Sequence, residues 1–537
     1  MGTSGTISKN NATVKFEKHT ITNFHISFDQ KAFQVRLFKT EKQGSTLYWF
    51  EDDQYEIIWY SSDHQEGKIK NFIEKLLTNF HETLTDIYDQ IGGIFEVFIL
   101  NKKNHKLFIV NDLYGVNGSF NLTKEEQQKF FLNFQNFNEL QVPLEFDVTG
   151  LQAHFAFGYQ VAPFPLPYKN IARLEGGKLH TFDSALQHET TRLSIEFSNE
   201  KPSFSLKDGM NATKNLFFGV TAGKDSLALL SQIKEGSEYI KSGNFGHVYS
   251  ADVIQGKEIT VNLDIEYKYS TVCDEEEFEH YATQIAMISG GLATVSYVDM
   301  LKFVAETIPE NYSYVMGEAG ECVRMFFPED ANLAKAMHNY ITPKEFLSGS
   351  FIDDYDEFLN QYPENITTAV AENYTGKSNA EILINFYRSG RLPGNFGNRH
   401  KLLSVFRNKI TPFLHEDFIK QTHHLSYERY KFDKIHEQII YDGNQDLLTY
   451  FKNPIHTEKS VQQWNERISN GVGKTLHKLL ELHLDALKTV FDTEKVLQLA
   501  KKQQKSPNRG LYFLFRIVSM AIFVDSIKNA VAPCEKR

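Results

Sequence analysis

The sequence predicts an α/β protein of two domains. A β-sandwich flanked by helices comes first, and a parallel sheet with a helical C-terminal part follows. The length of 537 residues exceeds what one hydrophobic core normally organises. In the first third, short apolar runs are separated by polar turns, which is typical of antiparallel strands. After residue 215, strand-like and helix-like segments alternate, which is typical of a parallel sheet.

In the first domain, residues 92–120 contain two apolar runs joined by a polar turn, and this pattern predicts a hairpin with a longer loop. Helical periodicity precedes the hairpin at 66–90, and short strands follow it at 173–183. The polar, breaker-rich stretch 197–214 predicts a linker. We therefore place the first domain at 1–196.

In the second domain, 215–537, a strand over 215–220 is followed by a helix that begins near Asp225. A strand near 265–272 is followed by a helix with acidic residues in its first turn, as the helix dipole favours. A further short strand is predicted at 293–297. The remainder of the domain is predicted to be mostly helical.

The composition is that of a soluble globular protein, with 41% hydrophobic and 23% charged residues. The net charge of −11 argues against nucleic acid or an anionic membrane as the main partner, because phosphate groups are bound by basic surfaces. The apolar stretch 511–527 carries Arg516 and Asp525 and is too short to span a membrane. We expect it to form a buried helix, and we expect neither a nucleic-acid nor a membrane partner.

The cysteine pattern and the first residues favour a cytoplasmic protein. Cys273, Cys322 and Cys534 are too few and too scattered for a disulfide framework or a cysteine-based zinc site. Residues 1–16 lack the apolar segment of a signal peptide.

The turn over 221–226, Thr-Ala-Gly-Lys-Asp-Ser, has the chemistry of an anion-binding loop. Small residues let backbone N–H groups approach an anion, and the hydroxyls and the following helix N-terminus add donors and positive potential. Asp225 suits such a site only if a cation such as Mg²⁺ joins its carboxylate to a polyphosphate. The sequence therefore predicts a pyrophosphate loop with a metal ligand. The alternative is that Asp225 simply caps the helix.

This turn resembles the Ser-Gly-Gly-x-Asp-Ser loop of the N-type ATP pyrophosphatases. Five further stretches resemble segments of asparagine synthetase-like proteins, in the same order as in that family. The resemblance covers roughly 85–455. It implies a glutaminase-like, Ntn-type sandwich followed by an adenine-nucleotide α-hydrolase-like parallel sheet. The five stretches are 92–116, 164–183, 270–286, 316–321 and 408–419.

One departure from that family concerns glutamine hydrolysis. Class II glutaminases use a cysteine that follows Met1, whereas this chain has Gly2 there and no cysteine before Cys273. We therefore expect no glutaminase activity, and we expect Asp112 to form a turn rather than to bind glutamine. In this respect the chain resembles the β-lactam synthetase and lasso-peptide cyclase branch, whose amine comes from the substrate. It equally resembles asparagine synthase-related proteins with a Thr-Ala-Gly loop.

The resemblance also implies site residues. Asp225 and Glu321 would hold Mg²⁺, although Glu321 could instead be an exposed loop residue. Glu318 would act as general base, or be a surface turn residue. Lys452 would stabilise developing negative charge, with Lys459 as the runner-up and a solvated lysine as the alternative. The residues that would bind ATP and pyrophosphate are Val220, Thr221, Ala222, Gly223, Lys224, Asp225, Ser226, Thr271, Val272 and Gly317.

Two further assignments stay open, namely which residue acts as the base and what Arg324 binds. Asn408 and Ile410 replace the Glu-x-Arg that precedes Pro-Phe-Leu in the family, which puts the assignment of the base in question. Arg324 could pair with a phosphate or a substrate carboxylate, or with a neighbouring acid.

The predicted function is that of an ATP- and Mg²⁺-dependent, AMP-forming amide ligase. It would adenylate a substrate carboxylate and couple it to an amine, with a small molecule or a peptide as substrate. A homodimer or a partner protein is compatible with the sequence. The alternative is a nucleotide-binding pseudoenzyme that serves as a scaffold subunit.

Overall fold

The computed structural model describes most of the chain. The described residues are 4–5, 15–40, 45–61, 66–124, 126–140, 142–162, 164–193, 206–210, 215–233, 238–324, 327–338, 340–343, 346, 366–374, 376, 378–422, 433–451 and 458–527. Gly2, Lys452 and Cys534 lie outside them, as does most of the predicted linker at 197–214.

The first domain is built on one antiparallel sheet of twelve strands. Lys15–Asp29 is the longest strand and pairs with four others, so it joins the two parts of the sheet. The other strands are Ser4–Gly5, Phe33–Lys39, Ser45–Glu51, Tyr55–Ser61, Phe95–Asn101, Lys106–Asn111, Phe120–Lys124, Gln127–Phe131, Ile171–Arg173, Lys178–Phe182 and His188–Arg192.

Both faces of the central strands are buried. In Tyr55–Ser61, Ile57 and Trp59 face one apolar cluster, whereas Ile58 and Tyr60 face another, as the period of two requires. The first cluster is covered by the helices Glu66–Thr78, Phe80–Thr85 and Ile87–Gln90.

The second cluster forms where the sheet curls over itself. Phe98 contacts Phe130 with ring centroids 5.6 Å apart, although their strands are not neighbours in the sheet. The predicted antiparallel strands with flanking helices in the first domain are therefore confirmed. The predicted hairpin at 92–120 is also confirmed, as Phe95–Asn101 paired with Lys106–Asn111.

The second domain contains a sheet of five parallel strands. The strand order changes direction at the central strand Leu216–Gly219, because the next two strands lie on one side of it and the last two on the other. Such a switch point is where open α/β sheets bind ligands, beyond the carboxyl ends of the strands. In spatial order the strands are Glu266–Thr271, Ile240–Gly246, Leu216–Gly219, Ser313–Val315 and Lys409–Ile410.

One predicted element of this domain is wrong. Residues Val295–Tyr297 form a helical turn instead of a strand, because the Thr294 side chain accepts a bond from the Ser296 N–H and so starts a helix. The strands Ile240–Gly246 and Lys409–Ile410 were not predicted.

Helical segments make up the remaining regular secondary structure of the described residues. The predicted buried helix near the C-terminus is confirmed as Gly510–Ser526. The other helical segments are Phe137–Leu140, Val148–Phe157, Lys207–Met210, Lys224–Leu230, Ala251–Asn262, Glu275–Ser289, Val298–Lys302, Phe303–Thr307, Gly320–Val323, Leu333–His338, Asn379–Phe386, Tyr387–Gly397, Asn398–Ser404, Pro412–Leu414, Glu416–Thr422, Lys434–Asn444, Gln445–Tyr450, Glu458–Arg467, Ile468–Val472, Gly473–His483, Leu484–Leu487 and Thr493–Lys505. Among the described residues, none of the helices has the length and apolarity needed to cross a bilayer.

The two domains share one apolar core. Phe134 of the first domain contacts Phe523 of the last helix at 5.4 Å between ring centroids, and Phe155 contacts Phe513 at 5.7 Å. Residues from 120 to 171 thus pack in the same cluster as helices of the second domain. Each domain therefore has its own sheet, but side chains of both domains pack in a common apolar cluster.

Candidate functional site

The loop after the central strand is tightly closed by its own side chains. The hydroxyl oxygens of Thr221 and Ser226 lie 2.9 Å apart, and Thr221 Oγ1 accepts the N–H of Gly223 at 3.0 Å. The N–H of Ala222 donates to a carboxylate oxygen of Asp252 at 3.0 Å. This amide therefore already faces an anionic oxygen, as a phosphate-binding amide would. Val220 precedes the loop and is buried, and its N–H donates to the carbonyl of Gly243.

Asp225 is not the cap of the following helix, so that alternative is wrong. The helix begins at Lys224, its N-cap is Gly223, and no side chain bonds to the cap position. Oδ1 of Asp225 lies 2.7 Å from Nε2 of the fully buried His436, without the geometry of a hydrogen bond. Asp225 is therefore held at the mouth of the sheet for a reason other than capping.

The loop after the neighbouring strand Ser313–Val315 packs directly on Asp225. A Cβ at Gly317 would lie 2.8 Å from Cβ of Asp225, and one at Gly320 would overlap the Asp225 carboxylate. Both positions therefore require glycine for close approach. The structure brings the predicted residues Gly317, Asp225 and Glu321 together.

Glu321 is the second carboxylate of the site. Its Oε2 is buried and has no hydrogen-bond partner among the described residues. Burial and the nearby charge of Asp225 raise the pKa of Glu321 above its ordinary value. Two carboxylates that repel each other in a buried site are stabilised by a shared cation.

The donor set fits Mg²⁺ better than a metal with an all-protein cage. Mg²⁺ is usually bound by one or two carboxylates together with substrate phosphates, and Asp225 and Glu321 supply such a pair. Among the described residues, no group of three or more His, Cys, Asp or Glu side chains is arranged to hold a metal ion.

Glu318 has a different environment from the one predicted. It is buried and forms ion pairs with Lys409 and Arg399. Burial alone would raise the pKa of Glu318, but Arg399 and Lys409 outweigh burial and hold the pKa below its ordinary value. A carboxylate with a lowered pKa is a weak base, so this environment disfavours a general-base role. It also rules out an exposed turn residue.

Lys224 and Arg324 are neutralised by an acid that the sequence did not reveal. Lys224 pairs with Asp433, and Nε of Arg324 lies 2.7 Å from the other Asp433 carboxylate oxygen. Of the alternatives for Arg324, the structure contains the pairing with an acid. Asp433 was missed because it lies 209 residues from Lys224 in a segment without a recognisable motif.

The remaining predicted residues lie farther from this loop. Thr271 ends the edge strand Glu266–Thr271 and is followed by Val272, at the same edge of the sheet but two strands away. Lys459 is exposed and lies over the ring of Tyr249 at 5.1 Å. Lys452 is outside the described residues.

Three arginines near the site were also missed. They come from the segment Tyr387–Gly397 and the helix after it. Arg388 donates to the carbonyl of Cys322 at 2.8 Å, and Arg399 pairs with Glu318. Arg391 lies among the rings of three aromatic side chains. The signal was the density of arginine, glycine and proline in RSGRLPGNFGNR.

In the first domain, Asp112 forms a turn, as predicted. Its carboxylate oxygens accept the N–H groups of Val116 at 2.9 Å and Asn117 at 2.8 Å. Burial raises the pKa of Asp112 to about 6. Its two carboxylate oxygens are thus engaged by the backbone of the turn.

Comparison with known proteins assigns part of the first domain to a known domain family. Residues 61–192 match the family model of the glutamine amidotransferase domain. A solved structure, glutamine phosphoribosylpyrophosphate (PRPP) amidotransferase from B. subtilis complexed with ADP and GMP, aligns over 67% of this chain and 88% of that chain. It shares 8% sequence identity with a TM-score of 0.21, which is too low to support an argument. No curated protein sequence matches the chain.

Proposed function

We propose that the chain is an asparagine synthetase-like ligase that uses ATP to adenylate a substrate carboxylate and then joins it to an amine, releasing AMP and pyrophosphate. The observation that carries the proposal is the meeting of Asp225 and Glu321 at the switch point of the parallel sheet. The unpartnered Oε2 of Glu321 and the carboxylate of Asp225 beside it are suited to a divalent cation, and cations at such positions accompany polyphosphates.

Each residue of the site has a part in this proposal. Mg²⁺, when bound by Asp225 and Glu321, would neutralise phosphate charge during attack on the α-phosphorus. At the helix N-terminus, phosphate oxygens would replace Asp252 as the acceptor of the Ala222 N–H and would compete with backbone carbonyls for the Ser226 hydroxyl. Thr271 and Val272, two strands away at the same edge of the parallel sheet, would contact the nucleotide.

Glu318 is better suited to positioning than to proton transfer, since its charge is already balanced by Lys409 and Arg399. We retain Lys452 as the cation that would meet developing negative charge, on segment order alone. Glutamine is not proposed as the amine donor, because residues 1–272 of the chain contain no cysteine. The amine would come from a small-molecule or peptide substrate.

A nucleotide-binding pseudoenzyme is the second candidate, and one observation favours it. Two charged residues of the loop already have partners from helix Lys434–Asn444 and the residue before it. Asp433 pairs with Lys224, and His436 contacts Asp225. A ligand would have to compete with these contacts.

The test is a pyrophosphate-release assay with ATP and Mg²⁺ against a panel of acids and peptides that also carry or are supplied with amines. The proposal expects AMP and pyrophosphate in equal amounts with at least one substrate, and loss of both in Asp225→Asn. Glutamate release from glutamine is measured in parallel and should not exceed that of boiled protein. ATP binding without turnover on any substrate would favour the pseudoenzyme, and ADP with phosphate as products would contradict the adenylation.

A further inference from the structure

We infer that the first domain positions the carboxylate loop of the second domain, and that Arg173 is the positioning residue that links them. The carboxylate loop is defined here as 316–324, which contains Glu318 and Glu321. The consequence for catalysis rests on the proposed function, but the mechanical link does not.

The link begins at the turn 112–119 and the strand beside it in the first domain. The guanidinium of Arg173 donates to the carbonyl of Pro393 and to Oδ1 of Asn398, both in the second domain. In the opposite direction, Lys401 donates to the carbonyl of Gly118. Both cations lie over the Phe120 ring, at 5.1 Å for Arg173 and 4.3 Å for Lys401. The Arg173 guanidinium is a charged donor with buried acceptors, and such hydrogen bonds are strong, so this contact is stiff.

The contact is also sterically close. A Cβ at Gly397 would lie 2.6 Å from the carbonyl oxygen of Val116, so the segment approaches the turn as closely as glycine permits.

The segment that Arg173 holds cannot stabilise itself. Tyr387–Gly397 is a wide helix of eleven residues with Pro393 inside it. Wide helical turns are normally short, and proline removes a backbone donor. Three glycines, Gly390, Gly394 and Gly397, lower its intrinsic helical stability further. Its conformation therefore depends on partners outside it.

The same segment holds the carboxylate loop at two points. Arg388, near its start, donates to the carbonyl of Cys322 at 3.1 and 2.8 Å. Arg399, just after its end, pairs with Glu318. These two contacts flank Glu321, so a shift of the segment would move the carboxylate that faces Asp225. The route from Arg173 to Glu321 thus consists of contacts between named atoms.

Hydrogen–deuterium exchange of the full chain tests the link without depending on turnover. Arg173→Met removes both donors while keeping an unbranched side chain about as long as the aliphatic part of arginine. We expect amides in 387–399 and in 316–324 to exchange about tenfold faster or more, the scale of losing a charge-assisted hydrogen bond. Arg173→Lys keeps the charge but cannot form the two-pronged contact, so it should restore the exchange only in part.

Tyr168→Phe is the matched control. It removes a buried hydrogen bond across the same domain boundary, from the Tyr168 hydroxyl to the carbonyl of Gly290, which is not on the route. It should leave exchange in 316–324 unchanged. Faster exchange in 387–399 alone, or equal acceleration of 316–324 in both variants, would overturn the inference.

The pyrophosphate-release assay separates this inference from the proposed function. If the chain is a ligase, Arg173→Met should lower kcat by up to about 10²-fold, as misplacement of reacting groups does, with a smaller change in KM for ATP. Tyr168→Phe should not change kcat. Accelerated exchange at 316–324 in Arg173→Met, with no turnover by the unsubstituted chain, would support the positioning role and contradict the ligase. An unchanged kcat in folded Arg173→Met would contradict the positioning role.

Discussion

Two acidic regions of this molecule differ in the hydrogen bonding of their carboxylates. In the first domain, both oxygens of the Asp112 carboxylate accept backbone N–H groups of its own turn. In the second domain, Oε2 of Glu321 is buried without a hydrogen-bond partner among the described residues, and Oδ1 of Asp225 lies 2.7 Å from Nε2 of His436 without the geometry of a hydrogen bond. Asp112 lies in a turn after a strand, whereas Asp225 and Glu321 each lie near the start of a short helical segment.

The difference separates a structural carboxylate from one kept available for a ligand. Buried polar atoms in native proteins are nearly always satisfied, so the unsatisfied Oε2 of Glu321 beside Asp225 requires a specific explanation. For this pair of carboxylates the explanation that we propose is a bound cation. For Asp112 none is needed, because the turn supplies its partners.

The sharpest test of this contrast uses two glutamates of one loop. Glu318→Gln would leave Lys409 and Arg399 without their buried counter-charge, and breaking such a pair costs about 3–5 kcal/mol of unfolding free energy. Glu321→Gln should leave the free energy of unfolding unchanged or raise it, because it removes repulsion with Asp225. Urea denaturation of both variants measures this. Equal losses in the two would mean that Glu321 is structural as well.

The next largest effect is expected at Lys452. If a ligase reaction takes place, Lys452→Met should lower turnover by about 10²–10³-fold, the usual loss when one preorganised charge is removed. Lys459→Met is the control, since Lys459 is exposed over Tyr249, and its effect should be much smaller. The pyrophosphate-release assay measures both. Loss at Lys459 alone would show that the cation was assigned seven residues too early.

A smaller effect is expected at Asp112. Asp112→Asn keeps one acceptor oxygen and places an amide against a backbone N–H, which should cost about 1–3 kcal/mol of unfolding free energy. ATP binding should not change, since the turn is not part of the nucleotide site. Weaker ATP affinity in a fully folded Asp112→Asn, measured by calorimetry, would remove the distinction between the two regions.

Local pattern predicted much of this molecule. Alternating apolar residues and turn chemistry located the hairpin before the Asp112 turn, and the small residues before Lys224 located the loop after the central strand. The order of the segments then predicted that Glu321 lies near Asp225, because the carboxyl ends of neighbouring parallel strands share an edge of the sheet. These features depend on short stretches of chain.

Other features depend on residues far apart, and the sequence could not reveal them. Lys409, which pairs with Glu318, lies 91 residues away on a strand of only two residues. His436 reaches Asp225 from a helix whose sequence has no motif. The helix cap proposed for Asp225 failed because Gly223 occupies that position instead. The partner of a residue in a buried ion pair is determined by the tertiary fold and not by the local sequence.

The most direct test of the central claim is calorimetric titration of the full chain with ATP, with and without Mg²⁺. The carboxylate pair predicts that binding depends on Mg²⁺ and that Asp225→Asn weakens Mg·ATP binding by roughly 1.5–3 kcal/mol, the scale of a charge-assisted contact. Asp112→Asn, titrated alongside, should match the unsubstituted chain. Affinity that is unchanged in Asp225→Asn, or unaffected by Mg²⁺, would contradict the account.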